Sequence, residues 1–191
     1  MYKKQSGFSL VELVIVIVVV GLLAVAALPR FLDVTDEAKK ASIEGVAGGY
    51  ATGVLSARAQ WEAKGRTTAT IGSERYNTVS YDGVDFWLSR SVDSSGTDTD
   101  FRDGYPFALN SDNTNFPSSL SDQDCIDLME NLLQNPPSVD TVSNASSNSN
   151  VKYSAQADSS NWTCTYVQLE GKTAHQFMYE VKTGRVTVTL Q

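Results

Sequence analysis

The residues whose side chains could carry chemistry are few and widely spaced. The chain of 191 residues has one histidine, His175, and two cysteines, Cys125 and Cys164. Catalysis by a cysteine nucleophile would need one of them free, with His175 as its base. His175 stands alone at the start of a β-like run, which is typical of a structural or exposed histidine. Two cysteines cannot build a disulfide scaffold, but they can form a single bridge.

Acidic side chains at short spacing would suit calcium, which prefers hard oxygen ligands. Asp98, Asp100 and Asp103 have this spacing. The segment lacks the glycine and the closing glutamate of an EF-hand loop, so the sequence favours a solvated acidic loop. We predict no metal site and no cofactor. Motifs of the H-E-x-x-H, G-x-S-x-G and G-K-[ST] types are absent from the sequence, so we expect no enzymatic activity.

One carboxylate lies inside an apolar run. Every residue from 8 to 28 is apolar except Ser9, Glu12 and Gly21. In a helix, this run would span about 31 Å, close to the hydrocarbon thickness of a bilayer. A carboxylate there costs roughly 2.5–3.5 kcal/mol at the helix centre, and less near the end. We expect Glu12 to have a cationic partner, and the alternative is that it snorkels to the headgroups.

The residues before this run indicate its orientation. Lys3 and Lys4 favour an amino terminus inside the cytoplasm, with the rest of the chain outside. An ordinary secretory signal peptide would also have a basic start and an apolar core, with a loose cleavage site at Ala24-Val25-Ala26. The length of the core and the presence of Glu12 argue against that alternative. The net charge of −7 argues against a nucleic-acid surface, so no nucleic-acid partner is predicted.

The hexapeptide Gly7-Phe8-Ser9-Leu10-Val11-Glu12 resembles the processing site of type IV prepilins and related pseudopilins. The resemblance implies that residues 1–7 are a leader, cleaved between Gly7 and Phe8 by a prepilin peptidase. It also implies that Phe8 is then N-methylated and that Glu12 pairs with the terminal amine of a neighbouring subunit. A buried carboxylate paired in this way would set the register of assembly.

The same resemblance implies the α+β type IV pilin fold. Its long amino-terminal helix would have an apolar half at 8–29, which protrudes as the transmembrane and filament-core segment. An amphipathic half at 30–64 would pack on an antiparallel β-sheet head at 65–191. Pro29 matches the proline often found at the end of the membrane stretch, and we expect it to kink or locally melt the helix.

The amphipathic half has its own periodicity. Apolar residues recur at steps of four and three and predict one buried helix face: Ile43, Ala47, Tyr50, Val54, Ala57 and Trp61. Four glycines interrupt this segment and either permit close helix packing or are tolerated weak points: Gly45, Gly48, Gly49 and Gly53. Gly65 is expected to end the helix.

The head is predicted to be rich in β-structure. The expected strands are 76–81, 84–88 and 161–169, followed by a hairpin of 176–181 and 185–190 through the turn at 182–184. A short helix is predicted at 122–133, with Ser121 as its N-cap. The segment 138–161 is mostly Ser, Thr, Asn and Asp, so we expect a surface loop or disorder.

The two cysteines are expected to be joined, because the head would lie outside the cytoplasm. Cys125 and Cys164 enclose 38 residues. Closing a loop of about 40 residues stabilises the fold by about 4 kcal/mol in the chain-entropy model. The pair also matches the disulfide-closed carboxy-terminal region of many pilins.

Weaker similarities are to the mannose-sensitive haemagglutinin (MSHA) subgroup, and they lie in four short stretches: Leu28-Pro29-Arg30-Phe31-Leu32, Gly104-Tyr105-Pro106, Trp162-Thr163-Cys164-Thr165-Tyr166 and Lys182-Thr183-Gly184. The resemblance implies a structural pilus subunit that mediates surface or host-cell adhesion. Its partners would be copies of itself, the prepilin peptidase and the pilus assembly machinery. It would lie in the bacterial inner membrane before assembly and in the extracellular pilus afterwards. The alternatives are a minor pilin, a type II secretion pseudopilin, and a Sec-secreted β-rich binding protein.

Overall fold

The computed structural model describes residues 7–111, 115–171 and 173–191, with the side chains of residues 29–33 excepted. The leader residues before Gly7, including Lys3 and Lys4, lie outside the described residues. The chain forms two compact units, Met1–Lys39 and Lys40–Gln191.

Helix α1, Leu10–Ala63, contains the boundary between the two units. It is helical through Pro29, so local melting, one of the two effects expected there, does not occur, and the expected kink stays a prediction. Proline removes one backbone hydrogen bond, and the bonds of the flanking turns are enough to keep the helix intact. Gly65, at φ +80°, ends the helix as predicted. Its amide donates to the Glu62 carbonyl, and the Arg66 amide donates to the Trp61 carbonyl, which is the Schellman pattern.

The predicted apolar face of α1 is confirmed. All six of its residues are buried in the second unit: Ile43, Ala47, Tyr50, Val54, Ala57 and Trp61. The Tyr50 ring lies 5.5 Å from the Tyr166 ring, 5.6 Å from the Phe177 ring and 5.3 Å from the Tyr179 ring, measured between centroids. Such tilted aromatic contacts add about 0.5–1.5 kcal/mol per pair to the area that is buried.

Two sheets form the β-structure of the second unit. The first is antiparallel, in the order β1-β2-β3-β4, with strands at Thr68–Ile71, Glu74–Tyr81, Val84–Leu88 and Pro106–Leu109. The second has the order β5-β6-β7-β8-β9, with strands at Val139–Thr141, Tyr153–Asp158, Thr163–Gln168, Gln176–Glu180 and Arg185–Thr189. The pair β5–β6 is parallel and the other pairs are antiparallel. The predicted strands and the terminal hairpin β8–β9 are therefore confirmed.

Helix α2, Asp122–Leu132, begins at the predicted N-cap. The Ser121 hydroxyl accepts from the Asp124 amide, and the Asp124 carboxylate accepts from the Ser121 amide. This reciprocal capping box satisfies two backbone donors at the helix start. The buried side of α2 carries Cys125, which is joined to Cys164 of β7 with the Cα atoms 5.5 Å apart. The predicted disulfide is thus present in the structure.

The expectation for residues 138–161 is wrong. The segment forms β5, the short helix α3 at Val142–Ala145, and β6. Three of its large apolar residues, Val139, Val151 and Tyr153, are buried, whereas Val142 in α3 is exposed. The backbone of β6 is hydrogen-bonded along six residue pairs with β7, which also carries Cys164. Pairing with a distant strand therefore outweighs the low local preference of Ser- and Asn-rich sequence for β-structure.

Candidate functional site at the start of helix α1

A second capping box stands at the first turn of α1. The Leu13 amide donates to the Ser9 carbonyl over 3.2 Å, which makes Ser9 the N-cap residue. The Glu12 amide donates to Ser9 Oγ over 3.2 Å, and the Ser9 amide donates to Glu12 Oε2 over 2.8 Å. Two of the unpaired donors that every helix start exposes are satisfied in this way.

Ser9 is a site residue that the residue-by-residue prediction missed. The prediction gave Glu12 a cationic partner and treated Ser9 only as a break in the apolar run. The pattern Ser-x-x-Glu directly before a helix is itself the sequence sign of a capping box, so the information was present. Within the chain, the partner of the Glu12 carboxylate is the backbone amide of Ser9. The carboxylate also faces the partial positive charge of the helix start.

The bond between Gly7 and Phe8 lies just outside this cap. Gly7, Phe8 and Ser9 precede the helix and are exposed, and Phe8 exposes 84% of its surface. A Cβ built on Gly7 would meet no atom of the described residues within 4 Å. The bond is therefore non-helical and open, as a bond that enters a protease cleft must be.

The apolar run that follows is exposed along its whole length. The stretch Leu10–Leu28 is helical, has the length and composition to cross a membrane, and buries none of its residues within the chain. At roughly 25 cal/mol for each Å² of apolar surface, a helix of this kind is strongly driven into lipid or against other apolar helices. Pro29 continues the helix, and its side chain lies outside the described residues.

The acidic residues considered for calcium have partners within the protein. Asp100 Oδ2 accepts from Lys182 Nζ over 2.6 Å, and this bond and charge lower the pKa of Asp100. Asp103 accepts from the amide and the hydroxyl of Ser91. In residues 7–111, 115–171 and 173–191, no group of three or more His, Cys, Asp or Glu side chains could hold a metal ion.

His175 is structural, which is one of the two roles predicted for it. The side chain is fully buried just before β8. Its Nδ1 accepts from the Gln191 amide over 3.1 Å, and its carbonyl accepts from the Gln168 amide. The first contact holds Gln191 against His175, and the second joins the end of β7 to the residue that precedes β8.

Two of the four stretches that carry the MSHA resemblance lie against each other. A Cβ on Gly184 would overlap the Tyr105 ring, and a Cβ on Gly104 would lie 2.6 Å from the Trp61 ring. Both glycines have positive φ, at +72° and +89°. The turn at Gly184, the Tyr105 ring and the last turns of α1 therefore pack so closely that only glycine fits at these two positions.

Comparisons with known proteins agree with this geometry. The family described as the prokaryotic N-terminal methylation motif matches residues 2–28. The type IV narrow pilus major component PilA5 of Thermus thermophilus is 42% identical over 65 residues, which are 34% of this chain and 54% of that protein. The fimbrial protein EcpC of Eikenella corrodens is 31% identical over 102 residues, which are 49% of this chain and 67% of that protein. No solved structure matches significantly.

The chain thus spans about half the length of the first relative and two thirds of the second. The methylation motif covers the open Gly7–Phe8 bond, the Ser9–Glu12 cap and the exposed apolar helix. The similarity to the fimbrial protein extends well beyond that motif. These three features and the two relatives agree, and the chain belongs to the type IV pilin family.

Proposed function

We propose that this chain is the subunit of a type IV pilus filament that is made as a single-pass inner-membrane precursor with its amino terminus inside. A prepilin peptidase cuts between Gly7 and Phe8, and Phe8 is then N-methylated. The observation that carries the proposal is the capping box of Ser9 and Glu12, which lies between an open Gly7–Phe8 bond and a fully exposed apolar helix. The helix start is complete on the mature side of the cut.

The proposed domain organisation follows the same division. Residues 1–7 are the leader, 8–29 span the membrane and later form the filament core, and 30–64 pack on the head at 65–191. Pro29 marks the passage from membrane to head. The contacts of Tyr50 with the second sheet support the packing of the amphipathic half on the head.

Glu12 has two candidate partners after the cut. One is the Ser9 amide of its own helix, which it already contacts. The other is a cationic amine at Phe8, on its own chain or on a neighbouring copy. An amine at a helix start is unfavourable beside the positive end of the helix, so a carboxylate there stabilises both. We propose that pairing between copies draws Glu12 to the neighbouring amine and sets the register of assembly.

Surface or host-cell adhesion by an MSHA-type major subunit is the finer proposal. It rests on the resemblance of four short stretches to the MSHA subgroup, and two of these stretches pack against each other at Tyr105 and Gly184. The abundance of the chain in purified filaments tests whether it is the major subunit. A trace amount would favour a minor pilin or a secretion pseudopilin.

Mass spectrometry of the mature amino terminus tests the processing. Methylated Phe8 as the first residue is the expected result. A chain that starts near Ala27 or Leu28 would show an ordinary secretory signal, and a chain that keeps residues 1–7 would show no processing. Either result would contradict the proposal.

Two neighbouring substitutions test the role of Glu12. Glu12→Gln keeps the capping geometry, because glutamine also serves in a capping box, but it removes the charge. Ser9→Ala weakens the cap by about 1 kcal/mol and keeps the charge. We expect Glu12→Gln to enter the membrane normally but to reduce filament yield at least tenfold, while Ser9→Ala still assembles. Normal filaments from Glu12→Gln would refute the charge pairing.

A further inference from the structure

A cavity lined by aromatic side chains lies within the second unit, far along the chain from the apolar helix. It has a volume of about 250 Å³, and six of its lining residues are Tyr76, Arg90, Phe101, Phe107, Phe116 and Trp162. These residues come from β2, β4 and three loops. We call this space the aromatic cavity. An apolar hollow with a few polar groups is the usual form of a small-molecule site.

The rings of the cavity form one connected cluster. Tyr76 and Phe116 stack with centroids 4.3 Å apart, and Phe107 lies 5.0 Å from Phe116. Trp162 lies 5.6 Å from Phe107 and 5.3 Å from Phe101. Five aromatic side chains therefore line one continuous wall, and a further ring that enters can contact them in the tilted and stacked arrangements that aromatic groups prefer.

Trp162 reaches this position through an unusual backbone conformation. Its φ is +57°, a region that residues with a side chain seldom occupy. The Trp162 carbonyl accepts from the Val181 amide over 2.9 Å, which holds the turn against the end of β8. A strained residue persists only where the surrounding contacts enforce it, and such residues cluster at binding sites.

Three polar residues of the wall, Ser89, Arg90 and Thr99, are hydrogen-bonded within the protein itself. Ser89 Oγ donates to the Arg102 carbonyl over 2.6 Å and accepts from the Tyr105 amide over 3.0 Å. The terminal nitrogens of Arg90 donate to the Arg75 carbonyl and to Glu74. The Thr99 hydroxyl donates to the Arg90 carbonyl.

The hydrogen bonds of these three residues determine which class of small molecule suits the cavity. A sugar or an anion entering the cavity would lose many hydrogen bonds to water, and Ser89, Arg90 and Thr99 already use their polar groups within the protein and would not replace them. The charge of Arg90 is balanced by Glu74, 2.8 Å away, so the wall offers little net attraction to an anion. A neutral, planar ring needs few hydrogen bonds from the wall and gains contact with several aromatic side chains.

We propose that the aromatic cavity binds a small neutral aromatic molecule of the size of phenol or indole. An apolar cavity of about 150 Å³ already holds benzene in another protein, so 250 Å³ is ample for one such ring. This binding would be independent of filament assembly. It would give the head a ligand site that neither the methylation motif nor the names of the relatives describe.

Titration of the full-length protein in detergent micelles, followed by NMR of the tryptophan side chains, tests the proposal. The chain has three tryptophans, so three indole N–H signals report separately. Phenol should shift the Trp162 signal in a saturable manner. The Trp61 signal should stay constant, because its indole donates to the Thr67 carbonyl and does not line the cavity. Equal shifts at both tryptophans, or none at Trp162, would overturn the proposal.

A matched pair of ligands and a matched pair of variants sharpen the test. Cyclohexanol has nearly the shape of phenol without the π-system, and we expect it to bind several-fold more weakly. Phe116→Leu keeps an apolar wall but loses the stacked ring, and we expect about tenfold weaker phenol binding.

Tyr81→Leu is the control, since Tyr81 is a partly buried aromatic residue of β2 that does not line the cavity. Its phenol affinity should equal that of the wild type. Partition of phenol into micelles is the same for all variants and cancels in the comparison. If cyclohexanol binds as tightly as phenol, or if Phe116→Leu binds as the wild type does, the site is not an aromatic one and the proposal fails.

Discussion

Gly53 and Gly48 stand five residues apart on α1, and the structure predicts opposite effects when each becomes alanine. A Cβ on Gly53 would overlap the carbonyl oxygen of Leu132 and would lie 3.1 Å from its carbonyl carbon and 3.2 Å from its Cβ. A Cβ on Gly48 would meet no atom of residues 7–111, 115–171 and 173–191 within 4 Å. The last turn of α2 thus packs directly on Gly53.

The magnitudes follow from two competing effects. Replacing glycine by alanine inside a helix stabilises it by about 1 kcal/mol. Gly48→Ala should gain most of this. Gly53→Ala gains it too, but α2 must shift to relieve a backbone overlap, and overpacking of this kind costs about 1–3 kcal/mol or more. We expect Gly53→Ala to lower the free energy of unfolding by up to about 2 kcal/mol, the difference between these two effects. For a unit of this size, 1 kcal/mol corresponds to about 2–4 °C in Tm.

Thermal unfolding of the full chain in micelles, followed by near-ultraviolet circular dichroism, measures both changes. Gly48→Ala should raise Tm and Gly53→Ala should lower it. Gly49→Ala should fall between them, because its nearest neighbour is a Leu133 methyl at 3.1 Å, which can move aside. If Gly53→Ala proves as stable as Gly48→Ala, the inferred contact between α1 and α2 is wrong, and the glycines are only tolerated weak points.

Two further predictions concern the disulfide and the buried tyrosines. Replacing both Cys125 and Cys164 by serine should lower the free energy of unfolding by about 4 kcal/mol in urea titrations, since the open chain gains loop entropy; an unchanged midpoint would refute this. Burial raises the pKa of three core tyrosines well above the ordinary value near 10, namely Tyr50, Tyr166 and Tyr179. Burial, with the Glu170 charge as a smaller cause, raises the pKa of Tyr153 to about 12. The stability that these phenols contribute is complete below about pH 10 and is lost as the pH rises above it, because the unfolded state then releases protons first. Absorbance at 295 nm should show that at least these four of the eight tyrosines are still protonated at pH 11, and full ionisation in the folded protein at that pH would contradict the structure.

Local periodicity predicted the parts of the fold whose cause is local. The buried face of α1 and the β8–β9 hairpin follow from the spacing of apolar residues and from the turn at Gly184. Ser121 predicted the start of α2 correctly, because the capping pattern lies within four consecutive residues. In each of these cases, the element forms because of interactions among residues that are close together in the sequence.

The remaining elements depend on partners that are distant along the chain. Strand β6 is too polar to be recognised alone, and its pairing with β7 and burial under α2 give it order. The aromatic cavity was even harder to predict from the sequence, since Tyr76 and Trp162 are separated by more than eighty residues and no periodicity relates them. The sequence also could not predict which glycines of α1 are closely packed and which are open, because this depends on where Leu132 lies.

The capping box at Ser9 would allow the proposed precursor to be cut without loss of helical structure in α1. Every residue that completes the helix start, from Ser9 onward, lies on the mature side of the proposed cut. Removing residues 1–7 would therefore break no bond of the cap, and it would add a positive amine next to Glu12. That amine disfavours the helix start unless a carboxylate balances it. In an isolated subunit, Glu12 must serve both the Ser9 amide and the new amine. In the proposed filament, Glu12 would pair with the amine of a neighbouring copy, and this attraction between opposite charges would favour assembly in addition to apolar packing.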